Sequence, residues 1–112
     1  MRPMSAPTNF AAPVSESGGP RPGAADRGAW RAILADVAVV TVTPFSGDRL
    51  EIVDHDGMER NLDRLVAGGV RLLVAGGNTG EFAALSEAEL VDTVRTHARV
   101  ARGRGRVLAG VG

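Results

Sequence analysis

Three nearly unbroken apolar runs, at residues 37–42, 70–75 and 107–111, recur at a spacing of about 35 residues, with helix-forming sequence in both intervals. A strand with one wet face alternates apolar and polar residues. These runs do not, so each fits a strand buried on both faces, as in a parallel sheet. Parallel neighbours need a crossover, and each interval is long enough to supply one as a helix. The first helix is expected to start at Asp54, a good N-cap, with Asp56 and Glu59 near the positive end of the helix dipole. Met58, Leu62, Leu65 and Val66 fall at i, i+4, i+7 and i+8 as one apolar stripe, and Gly68-Gly69 closes the helix. The second helix opens on a capping box, Ser86 with Glu89, and on Leu85 and Leu90 placed as a hydrophobic staple. Its expected buried stripe is Leu90, Val94, Ala98 and Ala101, closed by Gly103 and Gly105. Strand, helix, strand, helix, strand predicts right-handed βαβ units, and both a barrel and a doubly wound sheet fit that order.

The pattern does not fill the chain. All but one of the six prolines lie before residue 29, among Ser, Ala and Gly, with no period of 2 or 3.6. A disordered Pro/Gly/Ala-rich extension is therefore expected over residues 1–29 and a folded unit over 30–112. Trp30, Ile33 and Leu34 suggest a short helical turn before the first strand. Pro44 ends that strand, and Ser46-Gly47-Asp48 reads as a turn. The sequence stops at Gly112, directly after the third strand. A three-stranded sheet with two helices would leave a long apolar edge, so the expectation is an α/β fold truncated after strand three.

Composition excludes several chemistries. All 13 basic residues are Arg, so the chain has no Lys, and it has neither Tyr nor Cys. Without Cys there is no disulfide scaffold, thiolate nucleophile or Cys-based zinc site. Without Lys no side chain can form a Schiff base. Zero net charge gives no electrostatic reason for a nucleic-acid or membrane partner. No apolar run approaches the roughly 18 to 20 residues of a spanning helix, and Arg2 is followed by no apolar export segment, so a cytoplasmic protein is expected.

Gly76-Gly-Asn-Thr-Gly-Glu81 lies where the second strand gives way to a loop, at the ligand-binding edge of parallel α/β folds. Its successive N–H groups, with the Thr79 hydroxyl, suit a carboxylate or phosphate, although βα loops are also glycine-rich simply to turn. A Walker loop would need a Lys after its last Gly, and the dinucleotide fingerprint G-x-G-x-x-G is missing. The longer segment Gly77-Asn-Thr-Gly-Glu81-Phe-Ala-Ala-Leu85-Ser-Glu-Ala-Glu89 resembles the signature of the dihydrodipicolinate synthase / N-acetylneuraminate lyase family, approximately G-[ST]-T-G-E-x-x-x-L-[ST]-x-x-E. Val40-Thr-Val-Thr-Pro-Phe45 is similar to that family's first strand with its T-P-F end, and Val107-Leu-Ala-Gly-Val-Gly112 to its third strand with G-x-G. The resemblance covers about residues 36 to 112.

The resemblance implies the N-terminal β-α-β-α-β part of a (β/α)8 barrel. It also implies a homo-oligomeric lyase, an aldolase or dehydratase, that joins pyruvate, another 2-keto acid or a keto sugar acid to a Lys on a later strand, with a Tyr relaying protons. Both residues are absent here, so this chain alone is expected to be inactive. The substrate carboxylate would be held by Thr79 with Asn78 and Gly80, and Thr43 would lie near the reaction site. Synthases of the family usually carry a Thr or Ser at the position of Asn78, whose amide cannot relay a proton as a hydroxyl does. The form G-N-T-G-E-F looks more like members acting on sugar acids, such as dehydro-deoxyglucarate dehydratases. The alternative is a non-catalytic fragment or a small phosphate- or carboxylate-binding α/β module.

No cofactor is expected, and no metal, because no His and carboxylates share ligand spacing. Glu81 is a candidate base, more simply read as satisfying backbone amides of the loop. His55 and His97 are expected to be solvated. Arg99, Arg102, Arg104 and Arg106 are expected to complement a helix C-terminus.

Overall fold

The structure, a computed structural model, describes residues 23–110. The elements run α1 (Arg27–Leu34), β1 (Ala38–Val40), β2 (Phe45–Ser46), β3 (Ile52–Val53), α2 (His55–Ala67), β4 (Leu72–Ala75), a 3-10 turn (Phe82–Ala84), α3 (Glu87–Ala101) and β5 (Arg106–Ala109). The disorder expected over residues 1–22, and Val111 of the third run, lie outside the described residues. The expected boundary between residues 29 and 30 falls inside α1. That helix starts earlier because the Asp26 carboxylate accepts from the Ala29 amide, and the Trp30 indole donates to the Gly23 carbonyl.

β1, β4 and β5 form one parallel sheet in the order β1-β4-β5, with Val39 opposite Leu73 and Leu73 opposite Val107. This is the β-α-β-α-β part of a (β/α)8 barrel, with α2 and α3 as its crossovers. α2 sends Met58, Leu62 and Val66 into the core, and α3 sends Val100 and Ala101. All five close on Leu73, so both helices cover the same face of the sheet. Two consecutive right-handed crossovers between sequential neighbours put both helices on one face, as in successive units of a barrel. Ion pairs tie the helices outside the core. Arg99 of α3 donates to Glu59 of α2, and Arg104 to Asp63.

The caps follow the sequence. Asp54 accepts from the Gly57 amide at 2.8 Å, and Gly69 ends α2 with φ +105°. Ser86 and Glu89 form the full capping box. The Ser86 amide, then its hydroxyl, holds the Glu89 carboxyl below its ordinary value.

Three expectations are corrected. β4 is buried as foreseen, but β1 is not buried on both faces. It has β4 on one side only among the described residues, and Val37 and Val42 are 73% and 55% exposed. Second, the turn expected at Ser46-Gly47-Asp48 is present, but the strands that flank it and make it a hairpin were not expected. β2 and β3 pair antiparallel, Phe45 with Val53, and Leu50 holds φ +56° at its tip. Two-residue strands are too short to show a period. Third, of the four apolar residues expected in the buried stripe of α3, Val94 and Ala101 are buried and Leu90 and Ala98 only partly, while Thr93, Thr96, His97 and Val100 join the buried face. Among the described residues no helix is long and apolar enough to cross a membrane.

Leu62 is 1% exposed, so Leu62→Ala is expected to cost about 2–5 kcal/mol through lost burial and a residual cavity. Leu50→Ala at the exposed hairpin tip should change stability by less than about 0.5 kcal/mol. Urea unfolding followed by circular dichroism measures both, and equal effects would contradict the core described above.

Candidate functional site: the glycine loop at the C-terminal edge of the sheet

The C-terminal ends of β1, β4 and β5 converge on the loop after β4. Gly76 sits at φ +67°, where an added Cβ would meet Leu90 Cδ1 at 2.6 Å. At the end of β5 the Gly110 amide donates to the Ala75 carbonyl at 2.8 Å, and a Cβ on Gly110 would lie 2.2 Å from the Gly76 carbonyl oxygen. Only residues without side chains let these two backbones approach so closely. The loop then folds on itself. The Glu81 amide donates to the Asn78 carbonyl at 2.9 Å, and the Phe82 amide to the Gly77 carbonyl at 3.4 Å.

Asn78, Thr79, Gly80 and Thr43 are brought together here. Asn78 and Thr79 are exposed, while Gly80 and Thr43 are buried. The Thr43 hydroxyl donates to the Gly80 carbonyl at 2.7 Å, so its proton secures the loop. Gly80 also rests on β1. A Cβ there would be 3.1 Å from the Thr41 carbonyl oxygen, and one on Gly77 would be 2.7 Å from Val40 Cγ1. Three consecutive N–H groups beside the Thr79 hydroxyl, those of Asn78, Thr79 and Gly80, thus have no protein acceptor among the described residues.

Glu81 departs from expectation. It holds the left-handed conformation, φ +56° and ψ +39°, and its exposed side chain caps no amide of the 3-10 turn. Holding a non-glycine residue there costs of order 1–2 kcal/mol, and the turn retains it directly beside the free amides.

Both histidines are also corrected. His97 is 1% exposed. Its Nδ1 lies 2.8 Å from the Thr93 carbonyl and its Nε2 lies 2.6 Å from Thr41 Oγ1. Burial pushes its pKa down, opposed in part by the Thr93 carbonyl. His55 is half-buried, with Nδ1 3.0 Å from Thr96 Oγ1. The signal was available: Thr93, Val94, His97, Val100 and Ala101 fall at i, i+1, i+4, i+7 and i+8, the spacing that marked α2. Admitting polar residues to the stripe would have found it. Thr93 Oγ1, on the same face one turn before His97, is buried with no hydrogen-bond partner. Of the four arginines, Arg99 and Arg104 bridge to α2 rather than merely cap α3. Among the described residues no three His, Asp or Glu side chains gather where they could hold a metal ion.

The sequence pattern of the dihydrodipicolinate synthetase family matches residues 34–112. A 4-hydroxy-tetrahydrodipicolinate synthase of Sorangium cellulosum is 43% identical over 79 residues, which are 70% of this chain and 26% of the relative. One from Methanocaldococcus jannaschii is 39% identical over 71 residues, 63% of this chain and 24% of the relative. Among solved structures, the dihydrodipicolinate synthase of Bacillus clausii superposes with a TM-score of 0.69 at 32% identity, covering 73% of this chain and 27% of that one. The chain thus spans about a quarter of the length of the relatives it matches.

Two measurements probe this geometry. Gly110→Ala forces its Cβ into the Gly76 carbonyl and is expected to cost about 1–3 kcal/mol, with faster exchange of the Gly110 amide. His97 is held neutral, so its folded pKa lies below the unfolded value near 6.5. The unfolded chain therefore binds the extra proton first, and stability is complete above about pH 6.5 and falls as pH drops below it. Urea midpoints between pH 8 and pH 5 should show that decline, and His97→Leu should flatten it.

Proposed function

Because the chain belongs to the dihydrodipicolinate synthetase family, we propose that it supplies the carboxylate cradle of a Schiff-base-forming lyase, an aldolase or dehydratase acting on pyruvate, another 2-keto acid or a keto sugar acid. The observation that carries this reading is the row of free amides at Asn78, Thr79 and Gly80 over the C-terminal edge of the sheet. In this role the Thr79 hydroxyl and the Thr79 and Gly80 amides receive the carboxylate oxygens. Asn78 contributes an amide side chain that donates and accepts but relays no proton. Thr43 fixes Gly80 from below, so the donors are oriented before the ligand arrives. A singly charged carboxylate suits the loop better than a phosphate dianion. Glu81 adds negative charge beside it, while Arg71, Arg104 and Arg106 line a cavity reached from the other end of β4 and β5.

The covalent step lies outside this chain's means. With neither Lys nor Tyr, its 112 residues offer no side-chain amine for the Schiff base and no phenol for the proton relay. The setting that accompanies the reading is a cytoplasmic homo-oligomer that needs no metal or other cofactor.

Titration of the 15N-labelled chain with pyruvate tests the cradle. The amides of Thr79 and Gly80 should move in a saturable way, and Thr79→Ala should weaken binding about 2- to 10-fold, the worth of one hydrogen bond. Inorganic phosphate that binds the loop more tightly than pyruvate would overturn the carboxylate reading. Pyruvate with borohydride should modify the α-amino terminus only, and a mass increase mapped to an internal residue would refute the division of labour.

A further inference from the structure

The buried histidine on α3 is not used by the cradle, and folding alone does not call for it. A buried imidazole costs desolvation that an apolar side chain of similar size would not, and this one faces a β1 hydroxyl rather than the apolar core. Its hydrogen bonds assign its state. The Thr93 carbonyl can only accept, so Nδ1 carries the proton. In the neutral ring Nε2 is then an acceptor, and the Thr41 hydroxyl donates to it at 2.6 Å rather than to the Val74 carbonyl at 3.2 Å.

Thr41 is where β1 leaves the sheet. Its amide makes the last rung to β4, donating to the Val74 carbonyl at 3.2 Å. Its carbonyl is the surface on which Gly80 rests, and two residues later Thr43 takes the Gly80 carbonyl. The direction of the chain between Thr41 and Thr43 therefore sets the height of the loop amides above the sheet edge. The hydroxyl of Thr41 has two partners to choose from, and of these the bond to His97 reaches the helix layer.

We propose that His97 is a positioning residue for the glycine loop, holding Thr41 from α3 so that Thr43 and Gly80 present the loop amides in their binding arrangement. The inference deepens the carboxylate-cradle reading and rests on it. Removing the imidazole lets the Thr41 hydroxyl turn to Val74, so Thr41 keeps a partner and the fold survives, but β1 loses its tie to α3. A merely structural role predicts the opposite, a loss of stability with an unchanged loop.

The test uses the whole chain labelled with 15N. In ligand-free spectra, His97 Nδ1 should carry the proton and Nε2 should show the resonance of an unprotonated ring nitrogen. His97→Leu should shift the Gly80 and Glu81 amides and weaken pyruvate binding about 2- to 10-fold, while Met58 and Leu62 amides in the core stay in place. His97→Gln, which can accept from Thr41 through its carbonyl oxygen, should restore the loop shifts and bring the affinity back to within about twofold. Thr41→Val should reproduce His97→Leu, and combining the two should add nothing. Loop amides unmoved in both His97→Leu and Thr41→Val would overturn the inference, as would an Nε2–H tautomer. Because those spectra need no ligand, they decide the positioning role separately from pyruvate binding, on which the cradle itself stands.

Discussion

The two hydrogen-bond ladders of β4 are the constraint on which the rest of this structure depends. Leu72, Leu73 and Ala75 are almost wholly buried, and an unpaired buried amide costs roughly 1–3 kcal/mol. Residues 72–75 therefore need a parallel partner on each side, which β1 and β5 provide. Parallel partners in turn demand the long crossovers that become α2 and α3. Once both helices lie against Leu73, the ends of the three strands come together at one edge. Gly76 and Gly110 then complete the approach, and the loop between β4 and α3 has nowhere to go but across the top of β1.

How much of this was legible depended on the strength of local signals. Asp54, Ser86 and Glu89 are capping residues whose geometry is set within three residues, so both crossover helices could be placed to within a residue. The glycine loop was legible because its composition makes little sense except as a turn with close backbone approach. The hairpin at residues 45–53 was not, since two pairs hold it and the Asp54 amide returns to the Pro44 carbonyl across it, a long-range bond with no local trace. β1 was misjudged for a related reason. An apolar run states what a strand can bury, while neighbours elsewhere in the fold decide what it does bury.

His97 shows a different limit. Its sequence neighbours Arg95, Thr96 and Arg99 point to solvent, while its place on α3 faces it inward. The polar partners that reconcile the two are Thr41, 56 positions away in sequence, and the Thr93 carbonyl one turn back. Thr93 Oγ1 is left without a partner in the same layer. A polar seam between β1 and α3 runs beneath the glycine loop. Such a seam orients groups that an apolar interface would leave free to slide, because each hydrogen bond has a direction and a packed methyl has none.

That distinction bears on the proposed cradle. A carboxylate gains from three amides only if they already point at the place where its oxygens will sit, since reorganising a flexible loop consumes the binding energy gained. The loop holds Glu81 in a left-handed conformation, closes on itself through the Glu81 amide and the Asn78 carbonyl, and is tied to β1 through Thr43. Each of these constraints is met before any ligand arrives. The proposed orientation of a carboxylate would draw only on Gly, Thr and backbone groups, in a chain whose 13 basic residues are all Arg, while covalent capture requires a side-chain amine. In the proposed reading the two requirements fall on different residues, and these 112 residues hold candidates for the first and no Lys for the second.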